Sequence, residues 1–180
     1  MLKRVKIETE QSIYFDSCFE LYTSAFPREE RRSKEYHLET MRRDKFSFDA
    51  VLDDDKFVGI VAWWDFDQIR YIEHFAVCPT LRGGGYGAKI LKMFGSESQK
   101  TILLEVEYPE NDQLKMRRIE FYKRQGFVLN PHPYSHPPYV GDSLVNLLIM
   151  TSPSEITAET MEAFKTNYFP LIHFRESDKE

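Results

Sequence analysis

The sequence predicts an α/β chain of the mixed α+β kind, a mixed sheet flanked by helices, and three observations carry that expectation. Three apolar runs, residues 48–52, 57–64 and 69–77, follow one another with short polar turns between them, the pattern of consecutive hairpin strands. Two amphipathic helical patterns precede those runs. After them, strand-like and helix-like segments alternate, which adds layers of helix to a sheet.

Taken in order, the opening KRVKIE alternates, with Val5 and Ile7 on one face, and reads as a short strand. Ile13, Phe15, Cys18, Phe19, Tyr22 and Phe26 recur at three- and four-residue spacing, an amphipathic helix that Pro27 stops. Ser33 caps a second helix carrying Tyr36, Leu38 and Met41. The cluster Asp53-Asp54-Asp55-Lys56 turns the first hairpin, residues 65–68 turn the second, and Pro79 closes the third strand. A helix with Ile90, Leu91 and Phe94 inward follows a glycine cluster and stops at Gly95. Residues 101–108 (TILLEVEY) form a mostly buried strand. Asp112 caps a helix reaching Gln125, with an inner stripe of Leu114, Ile119 and Tyr122 and a stop at Gly126. Residues 127–129 make a brief strand, and 130–139 (NPHPYSHPPY), with four of the nine prolines, reads as an extended loop. Residues 144–150 supply the last clear strand, and a helix runs from 154 through Phe164. The expected order is β-α-α-β-β-β-α-β-α-β-β. No linker divides the chain, so residues 1–150 read as one domain and 151–180 as a helical extension packed on it.

Composition narrows the function classes. Hydrophobic residues make up 42% of the 180, enough to bury a core. The balance of 24 basic against 29 acidic residues argues against nucleic acid as a partner and leans towards a cationic one. No run approaches the length of a membrane span, and the basic opening has no apolar stretch behind it, so no membrane association and a cytoplasmic location are expected. Cys18 and Cys78 cannot frame a chain of this size and read as free thiols. Nothing here fixes an oligomeric state, and a homodimer is left open.

The segment 73–89 (EHFAVCPTLRGGGYGAK) carries the chemistry. Four glycines in five positions between a strand and a helix expose backbone N–H groups, which at a helix start favour an anion such as a pyrophosphate. The bland alternative is a flexible connector. The nucleotide-triphosphate pattern G-x-x-x-x-G-K-[ST] is absent. Gly83, Gly85 and Ala88 satisfy the dinucleotide fingerprint G-x-G-x-x-G/A, with Glu105 about 20 residues on as a ribose acid. Against it, Cys78 to Arg82 intervene between strand and glycines, and too little chain remains for a second mononucleotide half.

Residues 77–88 (VCPTLRGGGYGA) resemble the acyl-CoA loop of the GNAT superfamily of N-acetyltransferases, with Arg82, Gly85 and Gly87 in the pattern Arg/Gln-x-x-Gly-x-Gly/Ala. Residues 121–127 (FYKRQGF) are similar to a second hallmark of that superfamily, F-Y-x-x-x-G-F. The resemblance extends over roughly Val5 to Met150 and implies a mixed, mostly antiparallel central sheet flanked by helices. One departure stands before the second motif, where Lys115 and Arg118 replace the Asn and Ala often found there. That extra charge meets the CoA phosphates or faces solvent.

The implied activity is acetyl transfer from acetyl-CoA to the amine of a small molecule or peptide, by direct attack in a ternary complex. The alternatives are a noncatalytic acyl-CoA-binding sensor or scaffold and, less favoured, a nicotinamide-dependent oxidoreductase. An alkylamine with a pKa of about 10.4 must lose a proton to attack, and the departing thiolate must gain one. Resemblance gives Glu73 the base role and Tyr122 the acid role. Glu73 reads equally as the structural partner of an Arg or Lys, and Tyr122 as a core residue. Alternation puts Glu73 and His74 on opposite faces, and His74, which reads first as a hydrogen-bonded core residue, is the second choice of base and is placed with the acceptor site. The cofactor is expected on Arg82, Gly83, Gly84, Gly85, Tyr86, Gly87 and Ala88 through its pyrophosphate, and on Phe75, Ala76 and Val77 through its pantetheine amides. The acceptor pocket draws on residues 26–32, Glu29 among them, though that mixed charge also suits a solvated turn. Trp63 and Trp64 alternate faces, one in the core and one free to line a cleft. Tyr134, Pro137, Pro138 and Tyr139 could form a stiff lip. His132 and His136 lack an adjacent acidic or Cys partner, so no metal is expected.

Overall fold

The computed structural model describes residues 1–140 and 144–173. The chain forms two compact units, Met1–Lys100 and Thr101–Glu180. The class is as expected, with eight mostly antiparallel strands and flanking helices among the described residues.

In the first unit β1 (Leu2–Lys6), β2 (Phe46–Asp53), β3 (Lys56–Asp65) and β4 (Ile69–Val77) pair in sequence order, each antiparallel to the next. The β2–β3 turn places Asp54 and Asp55 at φ +47° and +66°, a left-handed pair that short polar side chains tolerate. Helices α1 (Phe15–Ala25) and α2 (Lys34–Met41) cover one sheet face, where Tyr22 of α1 and His37 of α2 meet Phe48. Ser33 caps α2 as expected, its hydroxyl accepting from the Tyr36 N–H. Helix α3 (Tyr86–Ser96) covers the other face, with Phe94 edge-on to Trp63 at 5.1 Å. The guanidinium groups of Arg4 and Arg70 lie 4.9 and 4.7 Å from the Trp63 ring, and Asp49 accepts its indole N–H at 2.8 Å. Cys18 is buried, Cys78 half-buried, and both are free thiols.

Two expectations need correction here. Ile13 is 85% exposed because α1 begins after it, at Phe15. Trp63 and Trp64 do take opposite faces, but both are buried, so neither lines a cleft. Trp64 packs against Phe46 and Phe66.

The second unit is organised by β8 (Val145–Ser152). It pairs antiparallel with β5 (Thr101–Glu107) and also with β6 (Val128–Leu129) and β7 (Tyr134–His136). The proline-rich stretch is therefore not wholly loop. Between Pro133 and Pro137 lie three residues that, unlike proline, carry a backbone N–H, and those three form β7, Tyr134 opposite Leu147 and His136 opposite Val145. Helix α4 (Gln113–Arg124) starts at Asp112, whose carboxylate accepts from the Leu114 and Lys115 N–H groups. It buries Ile119 and Tyr122, whereas Leu114 is 70% exposed, because its first turn lies off the sheet. The chain continues through α5 (Ala158–Ala163), a π turn over Phe164–Tyr168 and α6 (Phe169–Ile172), burying Met161, Phe164 and Ile172. No helix among the described residues is long and apolar enough to cross a membrane.

His37 is wholly buried among aromatic rings, with Phe48 at 4.4 Å and Tyr22 at 4.7 Å, and neither ring nitrogen has a hydrogen-bond partner. Burial, with the charge of Arg32 adding to it, pushes its pKa from 6.5 down to about 3. The unfolded chain takes up this proton as pH falls below 6.5 while the folded chain refuses it, so stability is lost on acidification across that window. Relative to His37→Phe, wild type should lose about 1.4 kcal/mol per pH unit, or about 2–3 kcal/mol by about pH 4.5. Urea unfolding of both proteins at neutral and acid pH checks this, and parallel pH dependences would refute it.

Candidate active site

The first unit holds two neighbouring features of β4. Along the β3–β4 pair, Ala62 stands opposite His74 and Trp63 opposite Ile72, which leaves Glu73 as an extra residue. This is a β-bulge, and it resets the alternation of side chains. Glu73 and His74 therefore face the same side, the α1–α2 side, and not opposite sides as simple alternation implies. Glu73 pairs with Arg32 at 2.8 Å, both side chains 2% exposed, and its other oxygen accepts the Trp64 indole N–H at 2.9 Å. That is the structural partner weighed in the sequence, supplied by a residue 41 positions upstream. His74 lies edge-on to Tyr22 and Phe26, with Nε2 2.8 Å from the Glu30 carbonyl. A carbonyl oxygen only accepts, so Nε2 carries the hydrogen.

Arg32 is the residue that sequence reading passed over. It sits past the short 3₁₀ turn Arg28–Glu30, its backbone N–H bonding the Tyr22 hydroxyl at 2.9 Å and its guanidinium 5.8 Å from the Phe46 ring. Burial pushes the Tyr22 hydroxyl above its ordinary value. The run Arg31-Arg32 looked like solvated charge, and nothing local marked one arginine as buried. Glu29, on the same 3₁₀ turn, is exposed.

The second feature follows β4. A 3₁₀ turn, Pro79–Leu81, leads through Arg82 into the glycines, with Gly83 at φ +80° and Gly85 at φ +79°. L side chains resist that conformation. Gly85 is the N-cap of α3 and offers no capping side chain, so the N–H groups of Tyr86, Gly87 and Ala88 open the helix without intrahelical partners. A Cβ on Gly84 would lie 3.2 Å from the Leu81 carbonyl oxygen, so the turn is tight as well as bare. Arg82 donates from Nε to the Val77 carbonyl at 3.2 Å, and the Tyr86 hydroxyl donates to Asp53 at 3.0 Å. Phe75, Ala76 and Val77 pair with Val61, Ile60 and Gly59 on one edge of β4. At Gly59 a Cβ would come within 2.5 Å of the Ala76 carbonyl oxygen, so that close approach admits glycine alone.

The second unit carries the remaining residues. Tyr122 packs on Phe121 and Phe127 at 5.3 and 5.6 Å, and burial pushes its hydroxyl up to about 12. Lys115 and Arg118 both pair with Glu107, at 3.2 and 2.8 Å. Glu105, the acid of the dinucleotide reading, is engaged by the Tyr134 hydroxyl at 2.5 Å and lies 3.4 Å from His136. It presents no carboxylate to a ribose. Tyr134 is buried rather than part of a lip, while half-buried Tyr139 lies 5.8 Å from the His173 ring. His132 bonds the Ile156 carbonyl, whereas His136 gathers with Glu105 and His173, an acidic partner that sequence adjacency could not reveal.

These features coincide with comparisons to known proteins. Residues 46–129 match the model of the Acetyltransferase (GNAT) domain. A Bacteroides thetaiotaomicron structure described as a GNAT-family acetyltransferase is 34% identical, spans 92% of this chain and 98% of its own, and superposes with a TM-score of 0.83. The chain belongs to the GNAT family of acetyltransferases. The Bacillus subtilis (strain 168) protein YjbC, described as an acetyltransferase, is 28% identical over 165 residues, 89% of this chain and 83% of its own length. Naa50 of Arabidopsis thaliana, solved with the bisubstrate analogue CoA-Ac-MVNAL, is 18% identical over 84% of this chain and 97% of its own, with a TM-score of 0.59, a likeness of fold.

Removing one member of a buried ion pair strands the other charge. Arg32→Met should therefore cost about 3–5 kcal/mol of stability, and the double variant Arg32→Met/Glu73→Leu should recover most of it. Urea unfolding of wild type and both variants reads this directly. A loss under about 1 kcal/mol for the single variant would mean the pair holds nothing together.

Proposed function

We propose that the protein transfers an acetyl group from acetyl-CoA to an amine by direct attack in a ternary complex. The observation that carries the reading is the bare glycine turn opening α3 immediately after β4, with Gly83 and Gly85 left-handed and three helix-start N–H groups uncovered. Such a group of donors suits a pyrophosphate, which a CoA thioester brings. The Naa50 structure, solved with a CoA-peptide bisubstrate, supports the same cosubstrate for a protein of this fold.

In this reading residues Arg82 to Ala88 hold the pyrophosphate, and the backbone of Phe75 to Val77 receives the pantetheine arm. The amine loses its proton to Glu73 through a water, since the Glu73 carboxylate is held by Arg32 and Trp64. His74 sits beside it and borders the acceptor, with Glu29 and Tyr139 as further acceptor contacts. Attack forms the C–N bond, the C–S bond breaks, and the Tyr122 hydroxyl gives its proton to the departing thiolate. The acceptor is a small-molecule or peptide amine.

Thermal unfolding tests the cosubstrate. At about 100 times its dissociation constant, acetyl-CoA should add about 2.7 kcal/mol and raise Tm by roughly 5–10 °C, while NADH leaves it unchanged. No rise with acetyl-CoA or CoA at saturation would end the acyltransferase reading. With cosubstrate binding established, thiol release tests the chemistry. Tyr122→Phe should lower kcat at least about tenfold with Kd for acetyl-CoA unchanged, and Glu73→Gln should lose most activity at low pH. Full turnover in Tyr122→Phe would sink its acid role, and an unaltered pH profile in Glu73→Gln would leave Glu73 a positioning residue.

A further inference from the structure

Three side chains far apart in sequence converge inside the second unit. Glu105 lies on β5, His136 on β7 and His173 at the C-terminal cap of α6, and one donor atom from each lies within 4.8 Å of the others. Glu105 Oε2 and His136 Nε2 are 3.4 Å apart, with side chains 12% and 9% exposed. The rings of His136 and His173 stack at 4.5 Å with their planes 19° apart.

Neighbouring bonds set the orientation of the first two donors. His136 Nδ1 lies 2.6 Å from the Pro137 carbonyl oxygen, which only accepts, so Nδ1 carries a hydrogen. The lone pair of the neutral ring is then on Nε2, aimed at Glu105 Oε2. Glu105 Oε1 accepts the Tyr134 hydroxyl, which turns Oε2 towards the histidine. A nitrogen lone pair facing a carboxylate oxygen calls for a cation between them. A proton can serve two donors, but here a third, His173, is gathered at the same point.

We propose that Glu105 Oε2, His136 Nε2 and one ring nitrogen of His173 bind a divalent transition-metal ion, with zinc favoured by the two-imidazole, one-carboxylate donor set. A histidine whose second N–H meets a backbone carbonyl, and a carboxylate held by a hydroxyl, are the outer contacts that metal centres use to fix their ligands. Ligand atoms about 2.0–2.1 Å from a tetrahedral ion lie about 3.3 Å from one another, and the Glu105–His136 pair already has nearly that spacing. His173 completes the set by side-chain rotation at the end of its helix, and a water fills the fourth position. The ion ties the end of α6 to β5 and β7. The proposal stands independently of the acetyl-transfer reading.

The full-length protein, stripped with chelator and dialysed, is titrated with Zn²⁺ by calorimetry and with Co²⁺ by visible absorption. Wild type should take up one Zn²⁺ per chain with a Kd of about 1 μM or tighter, and Zn²⁺ should displace the Co²⁺ band. His173→Ala, half-buried at a helix end, should keep its metal-free Tm and lose at least about tenfold in affinity, and Tyr134→Phe should weaken binding about tenfold through Glu105. No saturable uptake below about 100 μM would overturn the site and leave Glu105 and His136 as a proton-held pair. Equal affinity in wild type and His173→Ala would overturn it equally.

Discussion

A single extra residue in β4 governs the arrangement of the first unit. Without the bulge at Glu73, alternation would send Glu73 and His74 to opposite faces, one of them towards Phe94 and α3. With it, both turn to the α1–α2 side, where Arg32 meets one and the Glu30 carbonyl meets the other. The chain between α1 and α2 is thereby tied to the strand at two adjacent points. Tyr22 adds a third tie, accepting the Arg32 backbone N–H while its ring packs on His74. Buried charge tolerates such a position because each partner supplies what the other lost on leaving water.

The same strand ends in a segment that is defined by what it lacks. Gly83 and Gly85 adopt left-handed backbone, Gly85 caps α3 without a side chain, and Gly87 keeps the first turn bare. An ordinary helix start satisfies its free N–H groups with a Ser or Asp, as Ser33 and Asp112 do elsewhere in this chain. The start of α1 at Tyr14 has no side-chain cap either, and what sets α3 apart is the left-handed glycine backbone that leads into it.

The second unit is organised differently, around β8, which accepts three partner strands. Because β7 is confined to three residues between prolines, its pairing with β8 positions Tyr134 and His136 within reach of Glu105. Proline here limits the strand and so fixes which side chains reach the interior. The aromatic content of the C-terminal segment, with Phe164 and Phe169 near the Tyr134 ring, packs around that cluster.

Much of this was legible from the residues alone, because it rests on local chemistry. Strand runs, the caps at Ser33 and Asp112, the Asp54-Asp55 turn and the glycine turn each follow from the conformational preference of a few neighbouring residues, and two short motifs sufficed to indicate the family. What tertiary structure decided depends on partners distant in sequence. Whether Arg32 is solvated or buried turns on a carboxylate 41 residues away. The bulge is a register choice between β3 and β4 that no pattern of alternation announces. His37 is apolar in its surroundings only because Tyr22 and Phe48 close over it. Glu105, His136 and His173 become neighbours only once β7 has paired with β8 and α6 has packed. Periodicity reports which face a residue takes, and it cannot report which residue waits on the other side.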